Sequence, residues 1–274
     1  MADIESIPIV ELGVGEAPAG LVLSTEAHWN QNEADWRFFL SRGTVFGLRD
    51  KDQLIATAAL LPYSSGNAWI SMVLVTANWR RRGIATRLVD TCLTKAMKLG
   101  LTTWLDATPD GANVYGPLGF TPALQLRRLR LENPKDTKAT ALLSICSLDE
   151  FIARDRSAMG FDRDLLLAEF AGRSETRLLS NGDAIAIVRG GRTARHIGPL
   201  FAETPQRALA LVDAIVRSEP GPWLLDAVSS QGEFLTGLTS SGWTIERPFQ
   251  RMRFGRATTR AEELPFAVAG PEFG

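Results

Sequence analysis

The sequence is poor in the residues that bind metal ions or crosslink a chain. Its 274 residues include two cysteines, Cys92 and Cys146, and two histidines. Both cysteines stand in apolar surroundings, which is typical of buried reduced thiols and not of a secreted disulfide scaffold. Because none of these four residues is closely spaced with another, we expect no metal site.

The sequence also has no excess of charge of either sign. Lys and Arg number 30 and Asp and Glu number 31, so the net charge is -1. A protein that binds nucleic acid or an anionic membrane through its whole surface carries a basic excess instead. We therefore expect neither nucleic acid nor membrane as a partner.

No apolar run stays uninterrupted long enough to span a membrane. The longest uncharged run, from Gln53 to Trp79, is divided by Pro62 and by the turn-forming residues 64–67. This pattern predicts two strands joined by a turn. The first residues show no basic region followed by an apolar stretch, so we expect no signal peptide and a cytoplasmic protein.

The order of predicted elements indicates an α/β fold. Helices, three consecutive β-rich runs and an amphipathic helix from Ile84 follow one another before residue 131, which predicts a mixed sheet with helices on its faces. The pattern then partly repeats, and Trp104-Leu105-Asp106-Ala107 resembles Leu224-Leu225-Asp226-Ala227. We predict two similar domains, residues 1–132 and 140–255, joined by a linker at 133–139 and followed by an extended tail at 256–274.

The most informative segment connects a strand to the amphipathic helix. The strand ends in Val73-Leu74-Val75, and the connection runs through Arg80-Arg81-Arg82-Gly83-Ile84-Ala85-Thr86. The first amides of a helix have no partner within the helix, and together with the helix dipole they attract anions. Gly83 and Ala85 keep side chains away from a bound phosphate, and the three arginines add positive charge. This segment therefore predicts a phosphate-binding site.

The same segment resembles the acyl-CoA-binding motif of the GNAT superfamily of N-acetyltransferases, Gln/Arg-x-x-Gly-x-Gly/Ala, here Arg80-x-x-Gly83-x-Ala85. A second segment, Asp106-Ala107-Thr108 followed by Tyr115-Gly116-Pro117-Leu118-Gly119-Phe120, resembles the strand, short helix and Tyr-x-x-x-Gly-Phe ending of the same family. The residues Asn30-Gln31-x-Glu33-x-Asp35-Trp36 resemble a bacterial GNAT subgroup with a second, degenerate GNAT-like domain. The resemblance implies tandem GNAT-like domains, each a mostly antiparallel mixed sheet flanked by helices, with acetyl-CoA as co-substrate.

The resemblance also implies residue roles. The main chain of Val73, Leu74 and Val75 would bind the pantetheine arm, and the amides from Arg81 to Thr86 would hold the pyrophosphate. Tyr115 would protonate the departing thiolate. Because an alkylammonium must lose a proton before it attacks, a base or a water chain is required. The candidate bases are Asp106, Glu26, His28, Glu33 and Asp35. We predict that His28, Trp29, Asp35 and Trp36 face the acceptor.

Structural roles remain alternatives for several of these residues. Tyr115 is also compatible with a packed aromatic, His28 with a helix cap, and Trp29 and Trp36 with the core. Asp106 has a counterpart in Asp226, which favours a structural role for both, such as capping a short helix.

The second half departs from the phosphate-binding pattern. At the corresponding helix start, Glu203 has the wrong sign for a phosphate and Pro205 lacks an N–H donor. We expect a second domain without its own acetyl-CoA.

The sequence thus predicts an N-acetyltransferase that moves an acetyl group from acetyl-CoA to an amine of a small molecule by direct attack. The alternatives are a non-catalytic acyl-CoA-binding sensor or assembly module and a protein-directed acetyltransferase. The sequence leaves the oligomeric state open, and a homodimer is one of the states it allows.

Overall fold

A computed structural model of the chain describes residues 7–132, 143–256 and 261–274. The predicted linker at 133–139 lies outside these residues. The helices are α1 (Ala17–Glu26), α2 (Glu33–Arg42), α3 (Ile84–Lys98), α4 (Pro109–Tyr115), α5 (Leu148–Met159), α6 (Asp164–Ala171), α7 (Pro205–Ser218) and α8 (Gly232–Ser240). The strands are β1 (Val10–Leu12), β2 (Thr44–Asp50), β3 (Gln53–Pro62), β4 (Asn67–Val75), β5 (Thr102–Ala107), β6 (Thr121–Leu131), β7 (Ser144–Ile145), β8 (Arg177–Asn181), β9 (Ala184–Arg189), β10 (Arg195–Phe201), β11 (Trp223–Val228) and β12 (Thr244–Phe254).

The chain forms two compact units. The first lies within Met1–Pro122 and Met252–Thr258, and the second within Ala123–Arg251 and Thr259–Gly274. The predicted domains, residues 1–132 and 140–255, differ from these units in the last strand of each half. Most of β6 belongs to the second unit, and the end of β12 belongs to the first.

The first unit is built on a mixed sheet. Strands β1 to β4 pair antiparallel in chain order, and β4 pairs parallel with β5. One face of the sheet and the apolar side of α3 form a core that includes Ile70, Leu88, Cys92 and Leu105. The three- and four-residue spacing of apolar residues in α3 gives it a single buried face, as the sequence predicts.

The second unit repeats this plan. Strands β7 to β10 pair antiparallel in chain order, β10 pairs parallel with β11, and β11 pairs antiparallel with β6. The apolar side of α7 packs in a core with Trp223 and Phe234. The predicted α/β class, with helices flanking mixed sheets, is confirmed.

Of the segment predicted as an extended tail, 256–274, residues 257–260 lie outside the described residues, and the part from 261 onward is packed instead. Residues 261–274 contain no helix or extended strand, yet Ala267, Val268 and Phe273 are fully buried in the second unit. Both cysteines are buried free thiols, in agreement with the sequence.

Candidate active site

Strand β4 separates from β5 after a short ladder. In the described part of the chain, the two strands share three residue pairs, of which Trp69 with Trp104 is the last. A bulge follows between Ser71 and Leu74, where Met72 has a positive φ of 51° and its carbonyl accepts the Thr57 hydroxyl at 2.8 Å. Beyond the bulge, Leu74 and Val75 pair with β3, and the end of β4 has an edge open toward β5.

The turn that opens α3 presents its main-chain amides outward. Arg81 and Gly83 both have left-handed backbone conformations, with φ of 59° and 77°. Gly83 is the N-cap of α3 and supplies no side chain to cap it. Within the described residues, the amides of residues 81–86 donate to no protein acceptor. Uncapped amides at the positive end of a helix dipole form an anion-binding site.

The neighbouring arginines order this turn. The Arg80 Nε donates to the Val75 carbonyl at 2.9 Å, which ties the turn to the end of β4. The guanidinium of Arg82 lies 5.0 Å from the ring centroid of Trp79, and Arg81 is exposed. The three arginines also add positive charge to the segment that carries these amides, which favours an anion there.

Glu26, at the end of α1, anchors the start of the same loop. Its two carboxylate oxygens accept the Thr76 hydroxyl and the Ala77 amide, each at 2.6 Å. The hydroxyl of Thr76 first, and then the Ala77 amide, lower the pKa of Glu26 below its ordinary value. A carboxylate bound through both oxygens is a poor base, so Glu26 positions the loop.

Tyr115 is the last residue of α4, whose N-cap Thr108 accepts the Gly111 amide through its hydroxyl. The Tyr115 ring is buried and lies 6.1 Å from Phe120, and its main-chain carbonyl accepts the amides of Leu118 and Phe120. Burial raises the pKa of Tyr115 above its ordinary value. The phenol therefore stays protonated at neutral pH and can donate a proton or a hydrogen bond.

Asp106 is half-buried on β5, between the buried residues Leu105 and Ala107. By strand alternation it shares a face with Trp104, which stacks on Trp69 at 6.5 Å. Asp106 and Tyr115 thus flank α4, one on the strand before it and one at its end. The helix cap itself is Thr108, not Asp106.

Two of the residues predicted to face the acceptor have structural roles next to the α1–α2 connection, His28 through its main chain and Asp35 through its side chain. His28 is exposed with φ of 56°, and it ends α1 because the amides of His28 and Trp29 donate to the carbonyls of Thr25 and Ser24. Asp35 completes a capping box with Asn32 at the start of α2.

Trp36 is fully buried and joins α1 to α2. Its indole N–H donates to the Ser24 hydroxyl at 3.0 Å, and a side chain at Gly20 would overlap its ring. The ring has no exposed surface with which to contact an acceptor, so its position favours the core role. Trp29 lies half-buried in the connection, outside both helices.

Gln31 is a residue that sequence reasoning did not single out for the site. Its side chain is buried, and its Oε1 has no hydrogen-bond partner within the described residues. A buried acceptor left unpaired costs about 1–3 kcal/mol, so such atoms mark places where a ligand or water completes the bonding. The signal available in the sequence was its place in the motif that begins at Asn30.

In the second unit, the residues that correspond to the start of α3 and to Asp106 are bonded within the protein. The side chain of Thr204 caps α7 by accepting the Arg207 amide, and Pro205 follows it. Asp226, predicted as a helix cap, is instead buried in an ion pair with Arg128, at 2.7 and 2.8 Å, and beside His196 at 3.0 Å. Burial raises the pKa of Asp226, but Arg128 and His196 outweigh burial and hold it well below its usual range.

The described residues offer neither a metal centre nor a membrane-spanning helix. They contain no group of three His, Cys, Asp or Glu side chains that could hold a metal ion. They also contain no helix that is both long and apolar enough to cross a membrane.

Comparison with known proteins agrees with this geometry. The model of the Acetyltransferase (GNAT) family matches residues 17–120, and an Acetyltransferase (GNAT) domain model matches residues 151–267. The chain is 23% identical over 241 residues to YitH, an uncharacterized N-acetyltransferase of Bacillus subtilis, covering 83% of this chain and 85% of YitH.

Two solved structures share the fold. A candidate acetyltransferase of Pyrococcus horikoshii superposes with a TM-score of 0.83 at 17% identity, over 100% of this chain and 98% of that one. A tandem GNAT protein from the clavulanic acid biosynthesis pathway gives 0.66 at 14% identity, over 92% of this chain and 100% of that one.

Proposed function

We propose a function from one premise: the chain belongs to the GNAT superfamily of acetyltransferases and carries two of its domains in tandem. The proposed reaction moves an acetyl group from acetyl-CoA to an amine of a small molecule. The observation that carries the proposal is the row of amides at residues 81–86, which donate to no protein acceptor within the described residues.

Acetyl-CoA would bind through main-chain groups of the first unit. The pyrophosphate would accept from the amides of Arg81–Thr86, with Arg80, Arg81 and Arg82 adding charge. The pantetheine arm would lie along the open edge of β4 as an added strand. Because Arg80 already donates to the carbonyl of Val75, we expect the arm to use chiefly Val73 and Leu74.

The chemistry needs no covalent enzyme intermediate. The amine lone pair attacks the thioester carbon, a C–N bond forms, and the tetrahedral oxyanion collapses as the C–S bond breaks. Tyr115 would give a proton to the departing sulfur. Asp106 is our preferred candidate to accept the amine proton, directly or through a water, because it lies on β5 just before α4, the helix that ends at Tyr115.

The acceptor would enter on the side of the α1–α2 connection. We retain His28 and Trp29 as acceptor contacts and add Gln31, whose buried Oε1 could accept from the acceptor molecule. A small molecule remains the proposed acceptor class, in a cytoplasmic bacterial protein that uses no metal.

Binding and turnover test this function directly. Calorimetry should show acetyl-CoA binding, and a library of small amines should release free CoA thiol with at least one member. Absence of acetyl-CoA binding would end the proposal. Binding without thiol release for any amine or basic peptide would favour an acyl-CoA sensor.

Tyr115→Phe separates an enzyme from a sensor. The substitution keeps the ring against Phe120 but removes the proton, so we expect turnover to fall by about 10²–10⁴-fold while acetyl-CoA affinity stays unchanged. Tyr63→Phe is the matched control, since it removes the only other tyrosine hydroxyl of the chain and should leave turnover as it is. Equal rates for the two variants would show that Tyr115 is a packing residue.

A further inference from the structure

A segment near the end of the chain lies between β10 and β11 of the second unit. The Leu200 amide donates to the Ala267 carbonyl and the Phe266 amide to the Leu200 carbonyl, both at 2.9 Å. On the other side, the Val228 amide donates to the Phe266 carbonyl at 3.1 Å and the Val268 amide to the Asp226 carbonyl at 3.0 Å. Residues 266–268, here called the wedge segment, thus bond to both strands at once.

The wedge segment fills a separation that both units share. In the second unit the parallel ladder ends at Ile197 with Leu225, and β10 then bulges before Leu200. In the first unit the ladder ends at Trp69 with Trp104, and β4 bulges before Leu74. Leu200 therefore stands just beyond the bulge of β10, as Leu74 stands just beyond the bulge of β4.

Buried charges hold the residues that follow the wedge segment. Arg189 is buried and donates to the Ala269 carbonyl at 2.8 Å and to Glu272 at 2.9 Å. Arg163, which is paired with Asp155 in the core, donates to the Phe273 carbonyl at 3.0 Å. Because a buried charge that loses its partner is costly, this end of the chain is held firmly in place.

We infer that the wedge segment permanently occupies the cleft between β10 and β11 of the second domain. This cleft corresponds to the one between β4 and β5 where acetyl-CoA would bind in the first domain. The peptide groups of the wedge segment make the strand-like hydrogen bonds that a pantetheine arm would make at the equivalent cleft of the first domain. The second domain would thus bind an extended segment of its own chain in place of acyl-CoA, and the protein would bind one acetyl-CoA per chain. The identity of the first domain's ligand rests on the proposed function.

Hydrogen–deuterium exchange of the full chain with and without acetyl-CoA tests this inference. Fragments covering residues 71–76 and 81–87 should exchange more slowly when acetyl-CoA is added. Fragments covering 198–202 and 226–228 should already be slow and should not change. Slowing in both sets, or two acetyl-CoA molecules per chain by calorimetry, would overturn the inference.

A variant tests the wedge segment independently of acetyl-CoA. A Cβ at Gly198 would overlap the Val268 carbonyl oxygen, so Gly198→Ala should displace the segment and speed exchange at 198–202 and 226–228 by about tenfold or more. Gly232→Ala is the control, because a Cβ there meets nothing within 4 Å. Val268→Pro removes the hydrogen bond to Asp226 and should have the same effect as Gly198→Ala.

These outcomes distinguish the proposed function of the first domain from the proposed role of the wedge segment. If Gly198→Ala and Val268→Pro both leave exchange at 198–202 and 226–228 unchanged, the wedge segment does not occupy the cleft. If those fragments respond to the variants but no fragment responds to acetyl-CoA, the proposed function fails and the role of the wedge segment stands.

Discussion

Gly83 and Gly100 stand at opposite ends of α3 and provide a matched pair. Both have a positive φ, of 77° and 66°, and at both a Cβ would meet nothing within 4 Å. Alanine at either position should therefore cost a similar amount of stability, about 1–2 kcal/mol from the left-handed backbone alone. The two sites differ in that only Gly83 belongs to the row of free amides at residues 81–86.

We predict that Gly83→Ala weakens acetyl-CoA binding and Gly100→Ala does not. A methyl group at residue 83 would stand where the pyrophosphate approaches the main chain, so the Kd should rise by about tenfold or more, or about 1.4 kcal/mol. Calorimetry gives the affinity, and denaturant unfolding checks that both variants lose similar stability. Equal affinity losses in the two variants would indicate a general effect on α3, and unchanged affinity in both would place the phosphates elsewhere.

At the scale of elements, the sequence predicts most where the signal is local. The apolar spacing of α3, the Thr204-Pro205 start of α7 and the Gly83 turn all depend on residues close in the chain, and the structure contains each of these features. The wedge segment could not be predicted this way, because its partners Leu200, Asp226 and Val228 are distant in sequence and residues 261–274 show no periodicity.

The start of α2 shows a local signal that admits two interpretations. A polar residue followed three positions later by an acidic one is typical of a capping box, and the same acid suits an acceptor site. The structure bonds Asn32 and Asp35 to each other's amides. Trp29 and Trp36 would share one helical face only if the helix were continuous, and the break between α1 and α2 places only Trp36 on α2.

Asp35→Ala and Asp35→Asn distinguish these two roles. Alanine removes the acceptor of the Asn32 amide, so the free energy of unfolding should fall by about 1 kcal/mol. Asparagine keeps an oxygen for that bond and should retain most of the stability. If capping is the main role, turnover per folded molecule stays the same in both variants, whereas a large rate loss in both, including the stable Asp35→Asn, would restore Asp35 as a base.

At the scale of the whole molecule, each unit depends on the strand that ends the other half of the sequence. Residues from Ala123 onward in β6 belong to the second unit, and Met252–Phe254 of β12 belong to the first. Each end has a specific partner within its unit: Arg128 on β6 pairs with Asp226, and Phe254 packs 5.7 Å from Phe120. Boundaries drawn from sequence repeats miss this exchange, because a repeat shows which residues correspond and not which residues pack together.

The buried charges of the second unit make the stability of the protein depend on pH. His196 is fully buried, its Nε2 lies 3.0 Å from Asp226, and Arg189, Arg128 and Glu272 are the other charged groups around it. Burial first, and then Arg189, lowers the pKa of His196 below its ordinary value. The folded protein thus keeps His196 neutral, donating from Nε2 to Asp226, at a pH where the unfolded chain takes up a proton.

Because the unfolded state binds the extra proton, the free energy of unfolding should fall as the pH drops below about 6.5, by at most about 1.4 kcal/mol per unit. The contribution of Asp226, whose pKa is depressed, is present above about 3.9 and is lost only at more acid pH, so the window from pH 6.5 to 5 isolates His196. Denaturant unfolding across that window should show the slope in the native chain and in His28→Gln, the exposed control, but not in His196→Gln. A slope that survives His196→Gln would assign the acid sensitivity to other groups, and a slope lost in His28→Gln would assign it to the end of α1.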